Sequence, residues 1–268
     1  MIDSPYLVVP GKKLKLRDRA TEETGQFRDK AGAARATAKN LERLDELQEL
    51  LYAEAKHALL VVFQAMDAGG KDGAIEHVFS GVNPQGCSVT SFKAPTHLEA
   101  AHDFLWRHHD AAPRKGMIGI HNRSHYEAVL IERVHDLVPK RVWQARYDRI
   151  NEFERLLDDE GTTILKFFLH VSKDEQKRRF EKRLKDPHKN WKFNPGDVKE
   201  REHWNDYQAA YQDALEKCST AHAPWFVVPA DHKWFRNWVV SDVIVRTLAS
   251  LKMSYPPPPP GLDKVVIK

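Results

Sequence analysis

Lys56-His57-Ala58-Leu59-Leu60-Val61-Val62-Phe63-Gln64-Ala65-Met66-Asp67-Ala68-Gly69-Gly70-Lys71-Asp72-Gly73 takes an apolar β-branched run, Ala58 to Phe63, into a glycine- and aspartate-rich turn that ends in Gly-Lys. Ala74-Ile75-Glu76-His77-Val78-Phe79 follows at once and reads as a helix. Strand, glycine turn, lysine and helix together make a phosphate cradle. Glycines let backbone N–H groups close on an anion, the helix N-terminus adds positive potential, and the lysine adds a point charge. Against the pattern G-x-x-x-x-G-K-[ST], aligned on Gly70-Lys71, Ala65 stands at the first position and Asp72 at the last, so the match is partial. The bland alternative is a glycine-rich β-turn with an exposed lysine. The Ser/Thr of that pattern touches Mg2+; either Asp72 replaces it or the metal role passes to Asp67. A carboxylate in a phosphate cradle repels the anion unless a cation lies between them. Asp67 therefore implies a metal, or a base role.

Upstream, Leu41, Leu44, Leu47, Leu50 and Leu51 recur at helical spacing, which predicts a helix over 38–55. Residues 1–37 read as an extended arm. Downstream, short strands are expected at Ser88–Phe92, Met117–Ile120, Thr162–Val171 and Pro224–Pro229. Helices are expected from His97 to about His109, after Ser124 to about Val134, over Trp143–Asp159 and Lys173–Leu184, from Val198 to about Thr220 with Asp197 as cap, and over Lys233–Met253. Strands alternating with helices imply an α/β fold, with a five-stranded parallel sheet covered on both faces. No linker divides the chain, so residues 1–268 are expected to form one domain. Its tail, 254–268, carries the run Pro256 to Pro260, read as a stiff solvated segment.

Composition excludes several classes. The 268 residues are 41% hydrophobic and 30% charged, an ordinary globular balance, with 42 basic against 38 acidic residues. Two cysteines, Cys87 and Cys218, make neither a disulfide framework nor a four-cysteine zinc site. No run approaches the ~18 apolar residues of a membrane span. Met1 to Arg19 is basic without an apolar core, so no secretory signal is read and the expected compartment is the cytoplasm. His102, His108 and His109 lack metal-ligand spacing and read as structural or surface residues.

Two further stretches face the same chemistry. In parallel sheets ligands sit beyond the carboxyl ends of strands, and the third strand ends at His121-Asn122-Arg123-Ser124-His125-Tyr126-Glu127. Asn122 stands where nucleoside triphosphatases often place a metal-holding aspartate, Glu127 is the nearest carboxylate, and Arg123 is placed to clamp a phosphoryl group or to form a surface ion pair. Lys173, Lys177, Arg178, Arg179, Lys182, Arg183, Lys185, Lys189 and Lys192 gather in one region with few acids. A solvated face is the default; a basic lid over 173–200, closing on a polyanion, fits the imbalance.

Phe63 to Gly73, then Asn122-Arg123-Ser124-His125-Tyr126, then Asp186-Pro187 with Trp191-Lys192-Phe193, then Ala223-Pro224-Trp225-Phe226-Val227-Val228-Pro229-Ala230 resemble the polyphosphate kinase 2 family over about residues 38–255. The resemblance implies a three-layer α/β/α P-loop kinase with a helical lid, moving phosphoryl groups between inorganic polyphosphate and nucleotides with Mg2+, or Mn2+ in its place. By position, Asp67 matches the family's loop aspartate, Lys71 its loop lysine, Arg123 the arginine after the third strand, and Arg179 and Arg183 the lid arginines. The commoner family pattern is Asp-Arg-Ser-Trp-Tyr; with Asn122-Arg123-Ser124-His125-Tyr126 the chain looks like the class III subgroup, which accepts nucleoside mono- and diphosphates. Asn122 in place of that aspartate makes Glu127 a candidate to share its role.

The expected catalytic set is Asp67, Lys71 and Arg123, with Asp67 as metal ligand. The expected nucleotide- and polyphosphate-binding set is Ala68, Gly69, Gly70, Asp72, Gly73, Asn122, Ser124, Tyr126, Glu127, Arg179 and Arg183. The expected partners are inorganic polyphosphate, adenine nucleotides with guanine nucleotides as alternatives, and further copies of the chain in a homo-oligomer; membrane and nucleic acid are not expected. Two rivals remain: a nucleoside monophosphate kinase using ATP, and a non-enzymatic polyanion or nucleic-acid binder, which would bind with a steep salt dependence.

Overall fold

A parallel strand buried on both faces must be apolar throughout, and β1 (Ala58–Gln64) is buried at every residue. The computed structural model describes residues 2–267. Helix α1 (Lys30–Glu54) precedes β1. After it come α2 (Lys71–Val78), β2 (Cys87–Ser91), α3 (His97–Ala100), α4 (Trp106–Asp110), β3 (Ile118–Asn122), α5 (Ile131–Val134), α6 (Lys140–Asp159) and β4 (Thr162–His170). The chain continues through α7 (Lys173–Lys185), α8 (Pro195–Glu200), α9 (Trp204–Cys218), β5 (Trp225–Pro229) and α10 (Lys233–Ser250). The five strands are parallel, in the order β2-β3-β1-β4-β5. Helices α1 and α2 pack with α10, and α5 and α6 pack with α9, so the sheet is covered from two sides. This is the α/β architecture expected from the alternation of apolar runs and amphipathic stretches.

The order of the strands places the site. From β1 the chain runs out to the edge strand β2 and returns to β3 beside β1. It then crosses to β4 on the other side of β1 and continues to β5. The direction of travel reverses between β1 and β3, and in open parallel sheets the ligand crevice opens at the carboxyl ends beside such a point. Phe63 pairs with Asn122 in register, so Arg123 leaves β3 beside Gln64, the last residue of β1.

Several boundaries differ from expectation, each for a local reason. Helix α1 begins at Lys30, eight residues early, because Asp29 caps it by accepting from Gly32 N at 2.7 Å. Its first turns bury Ala33 and Thr37, small residues that a count of large apolar side chains passes over. Thr96 does cap a helix in a reciprocal box with Glu99, but α3 stops at Ala100. The stretch after Ser124 is a 3-10 turn, His125–Val129, before the short α5. The helix expected from 198 to 220 is broken: Asn194, not Asp197, caps α8, and a 3-10 turn at Arg201–His203 separates it from α9. Arm residues Tyr6, Val8, Leu14 and Leu16 are buried, and Leu7 forms an antiparallel bridge with Phe226 on the outer edge of β5.

The core carries a buried ionic cluster. Lys166 on β4 is fully buried, and its Nζ donates to Glu154 Oε2 at 2.5 Å, to Tyr126 Oη at 2.8 Å and to the Cys218 carbonyl at 2.7 Å. Glu154 Oε1 accepts from Tyr126 Oη at 2.9 Å and lies 3.1 Å from His125 Nε2. Burial alone would raise the Glu154 carboxyl; Lys166 and His125 hold it below its ordinary range. Removing one partner strands the other. Lys166→Met is expected to destabilise the chain by about 3–5 kcal/mol, a fall in Tm of about 10 °C. Adding Glu154→Leu should restore much of that, because it removes the stranded charge. Thermal unfolding checks both, and a single variant that melts with the wild type would refute the pairing.

Candidate active site

The turn after β1 is shaped by backbone geometry before any side chain acts. Gly69 N donates to Met66 O at 2.9 Å, folding the chain so tightly that a Cβ on Gly69 would lie 2.5 Å from Ala65 Cβ. Gly70 adopts φ +97°, the left-handed region in which side chains are rare, and starts α2 directly. The departures from the phosphate-loop pattern have structural uses. Ala65 offers its carbonyl to Lys71 Nζ at 3.0 Å, and Asp72 Oδ1 accepts from Asn122 Nδ2 at 2.7 Å, tying the loop to the end of β3. Lys71 is buried at the first residue of α2. Burial and then Arg123 push its amine down, against the pull of Asp67, Glu127 and Asp72.

Arg123 follows β3 at φ 63° and its N–H donates to Phe63 O at 3.0 Å, locking the two strand ends together. Its Nη2 donates to Asp67 Oδ1 at 3.1 Å, both side chains being partly exposed. Glu127 is half-buried nearby; burial raises its carboxyl against the pull of Arg123 and Lys71. Burial and then Asp67 likewise raise Asp197, on α8, whose Oδ2 lies 3.9 Å from Arg183 Nη1. Except for Glu127, these groups line a cavity of about 1030 Å³ formed by Asp67 to Gly73, Asn122 and Arg123, by Lys182, Arg183, Lys189 and Trp191 of the basic segment, by Asp197, and by Lys93 after β2.

Most of the expected site residues therefore meet. Asp67, Ala68, Gly69, Gly70, Lys71, Asp72, Gly73, Asn122, Arg123, Arg179 and Arg183 all line this one cavity. Ser124, Tyr126 and Glu127 do not. Ser124 is buried and its Oγ accepts from Gln64 Nε2 at 3.1 Å and from Tyr126 N, capping the 3-10 turn. Tyr126 points into the core, where Glu154 and Lys166 occupy its hydroxyl. Arg179 also differs in kind from a lid arginine that swings over the ligand. It is buried, and its guanidinium donates to the carbonyls of Ala68, Gly69 and Ala230 at 3.1, 2.9 and 2.5 Å and to Glu175 at 2.8 Å. It braces the glycine turn from the side of α7, and Gln176 Nε2 does the same to Asp67 O at 2.8 Å.

Sequence reasoning missed Lys233, Arg236 and Asn237, which complete the cavity wall. They open α10, the helix that follows β5, so the strand-end rule that found Arg123 would have found them too.

Similar proteins bear on this site. Residues 27–256 match the family model described as polyphosphate kinase 2. The chain is 54% identical over 264 residues to the AMP/ADP-polyphosphate phosphotransferase of Meiothermus ruber, covering 98% of this chain and 99% of that one. It is 46% identical over 275 residues to the ADP-polyphosphate phosphotransferase of Rhodopseudomonas palustris, with 98% and 95% covered. The crystal structure of polyphosphate kinase 2 from Arthrobacter aurescens TC1 superposes with a TM-score of 0.91 at 43% identity, over 94% of this chain and 90% of that one. With the glycine turn, Lys71 and Arg123 set around one cation-lined cavity, and with near-full-length relatives of this kind, the chain belongs to the polyphosphate kinase 2 family.

Proposed function

We propose that the chain transfers the terminal phosphoryl group of inorganic polyphosphate to AMP and ADP, reversibly, at the cavity beyond β1 and β3. The observation that carries this reading is the meeting of Asp67 and Arg123 at 3.1 Å on the rim of the glycine turn, one residue type for a cation and one for a phosphoryl group. Guanine nucleotides are the next acceptors to test. The fold acts as one kinase domain with the basic segment 173–200 as its lid. The working compartment is the cytoplasm; among the described residues no helix is long and apolar enough to cross a membrane. The chain works as a homo-oligomer.

The residues present fit Mg2+, with Mn2+ as an alternative. Among the described residues no group of three or more His, Cys, Asp or Glu forms a protein cage. Mg2+ characteristically takes one or two carboxylates and completes its octahedron with water and substrate phosphates. Asp67 would hold it, with Asp72 and Glu127 near, and when bound it neutralises phosphate charge between two polyanions. The chain's own residues do the rest. The turn's N–H groups and Lys71 seat a phosphate, and Arg123 stabilises the transferring group. An acceptor phosphate oxygen forms the new P–O bond as the bond to the shortened polyphosphate breaks, the electron pair leaving with that chain. The acceptor oxygen is already ionised near neutral pH, so positioning and charge neutralisation suffice and no strong base is required. Arg183 and the lysines of the lid shield the reaction from water.

The test is the donor. The chain, ADP, Mg2+ and polyphosphate, without ATP, are expected to yield ATP, and AMP in place of ADP to yield ADP and then ATP, separated by chromatography. Product only when ATP is the donor would replace this reading with a nucleoside monophosphate kinase.

A further inference from the structure

Two guanidinium groups lie under the glycine turn, and they are not equivalent. Arg179 has a carboxylate, Glu175, at 2.8 Å. Arg236, on α10, is 2% exposed. Its Nη1 donates to Gly70 O at 2.9 Å, and its Nε and Nη2 both donate to the neutral Asn237 Oδ1, at 3.0 and 2.7 Å. Among the described residues no carboxylate pairs with it, and burial followed by Arg179 pushes it down to about 9. Lys233, at the mouth of the same wall, is pushed down by partial desolvation and then by Arg179, Arg236 and Lys182. A crowd of cations around a buried, uncompensated charge is costly unless something outside the chain supplies the opposite sign.

The loop is also fitted to this arginine. A Cβ on Gly70 would lie 2.3 Å from Arg236 Nη1, and one on Gly73 would lie 3.9 Å from Nη2. The guanidinium therefore touches the loop where its peptide turns into α2, and it lines the cavity.

We infer that Arg236 is a positioning residue for phosphoryl transfer: it pins the Gly70 peptide from beneath, and a phosphate group seated on the Gly69–Gly73 turn completes its charge. The inference rests on the function proposed above and deepens it. The phosphate belongs either to polyphosphate or to the nucleotide, and the kinetic arms separate the two.

The experiment uses the full chain with Arg236→Met and Arg236→Lys, measuring kcat, KM for polyphosphate and KM for ADP, together with binding of tripolyphosphate by calorimetry without nucleotide. Arg236→Met is expected to lose about 100-fold in kcat/KM, the scale of one preorganised electrostatic group. A rise confined to the KM for polyphosphate, with weakened tripolyphosphate binding, assigns the seated phosphate to the donor. A rise confined to the KM for ADP assigns it to the acceptor. Arg236→Lys keeps the charge but not the fork, and is expected to recover about tenfold of the loss, which a purely structural role would not give. Should Arg236→Met not fold, Arg236→Lys alone carries the test through its KM and kcat. Wild-type constants and wild-type tripolyphosphate binding in these variants would overturn the inference. A wild-type chain that binds tripolyphosphate but moves no phosphoryl group from polyphosphate would overturn the function instead, and the calorimetric comparison would still decide Arg236.

Discussion

Asp67→Asn is expected to lower phosphoryl transfer about 1000-fold in kcat, the upper range for removing one preorganised charged group from a transition state, with little change in Tm. The substitution keeps the shape of the side chain and removes its charge. The fold should tolerate it, because Asp67 is partly exposed and its pairing with Arg123 is a rim contact. Its backbone carbonyl still accepts from Gln176, so the turn keeps its brace. What is lost is the carboxylate that we propose draws a cation between two polyanions. Steady-state assays with polyphosphate and ADP, beside a melting curve, check this. Near wild-type turnover would remove Asp67 from the mechanism.

Lys71→Met is expected to be comparably severe, about 1000-fold in kcat/KM. The ammonium is held at the first residue of α2 by the Ala65 carbonyl, at the point where backbone N–H groups and helix dipole already favour an anion. Lys71→Arg should fare little better. The site is closed around a compact ammonium, and a planar guanidinium needs a wider opening and different partners. Initial-rate measurements over a range of polyphosphate concentrations read both variants. An arginine variant retaining most of the activity would show that the loop requires a positive charge but not this one's placement.

The parts of the fold legible in the sequence were those where physics leaves a local mark. A strand buried on both faces writes a continuous apolar run, so β1 and β4 could be read directly. A turn that must cradle an anion writes glycines and a lysine, and the strand-end rule supplied Arg123. The less legible parts depend on distant partners. Lys166 is one charge within an apolar strand, and only the fold brings Glu154, on α6, to its ammonium. Arg179 read as an arginine of a mobile lid; the loop carbonyls that bury it lie up to 111 residues earlier in the chain. Tyr126 sat in a motif that resembled a ligand-binding one, yet its hydroxyl belongs to the core. Helix breaks such as Arg201–His203 left no proline or glycine to mark them.

The N-terminal arm has a temporal consequence. The partners that tie it to the domain lie far along the chain: Leu16 N donates to Gln212, and Thr21 Oγ1 to Asp231, a residue 210 positions away. During synthesis, which proceeds from the N-terminus, residues such as Tyr6, Val8 and Leu16 leave the ribosome long before the strand that will cover them. The arm must wait, solvated, while β1, β3 and β4 assemble, and it can dock only once β5 has joined the sheet. Asp231 also accepts from Ser172 N and lends its carbonyl to Arg179. A segment made early is thus expected to close over the brace of the glycine turn late in folding, and a ribosome-bound chain halted before residue 225 should expose this segment to proteolysis.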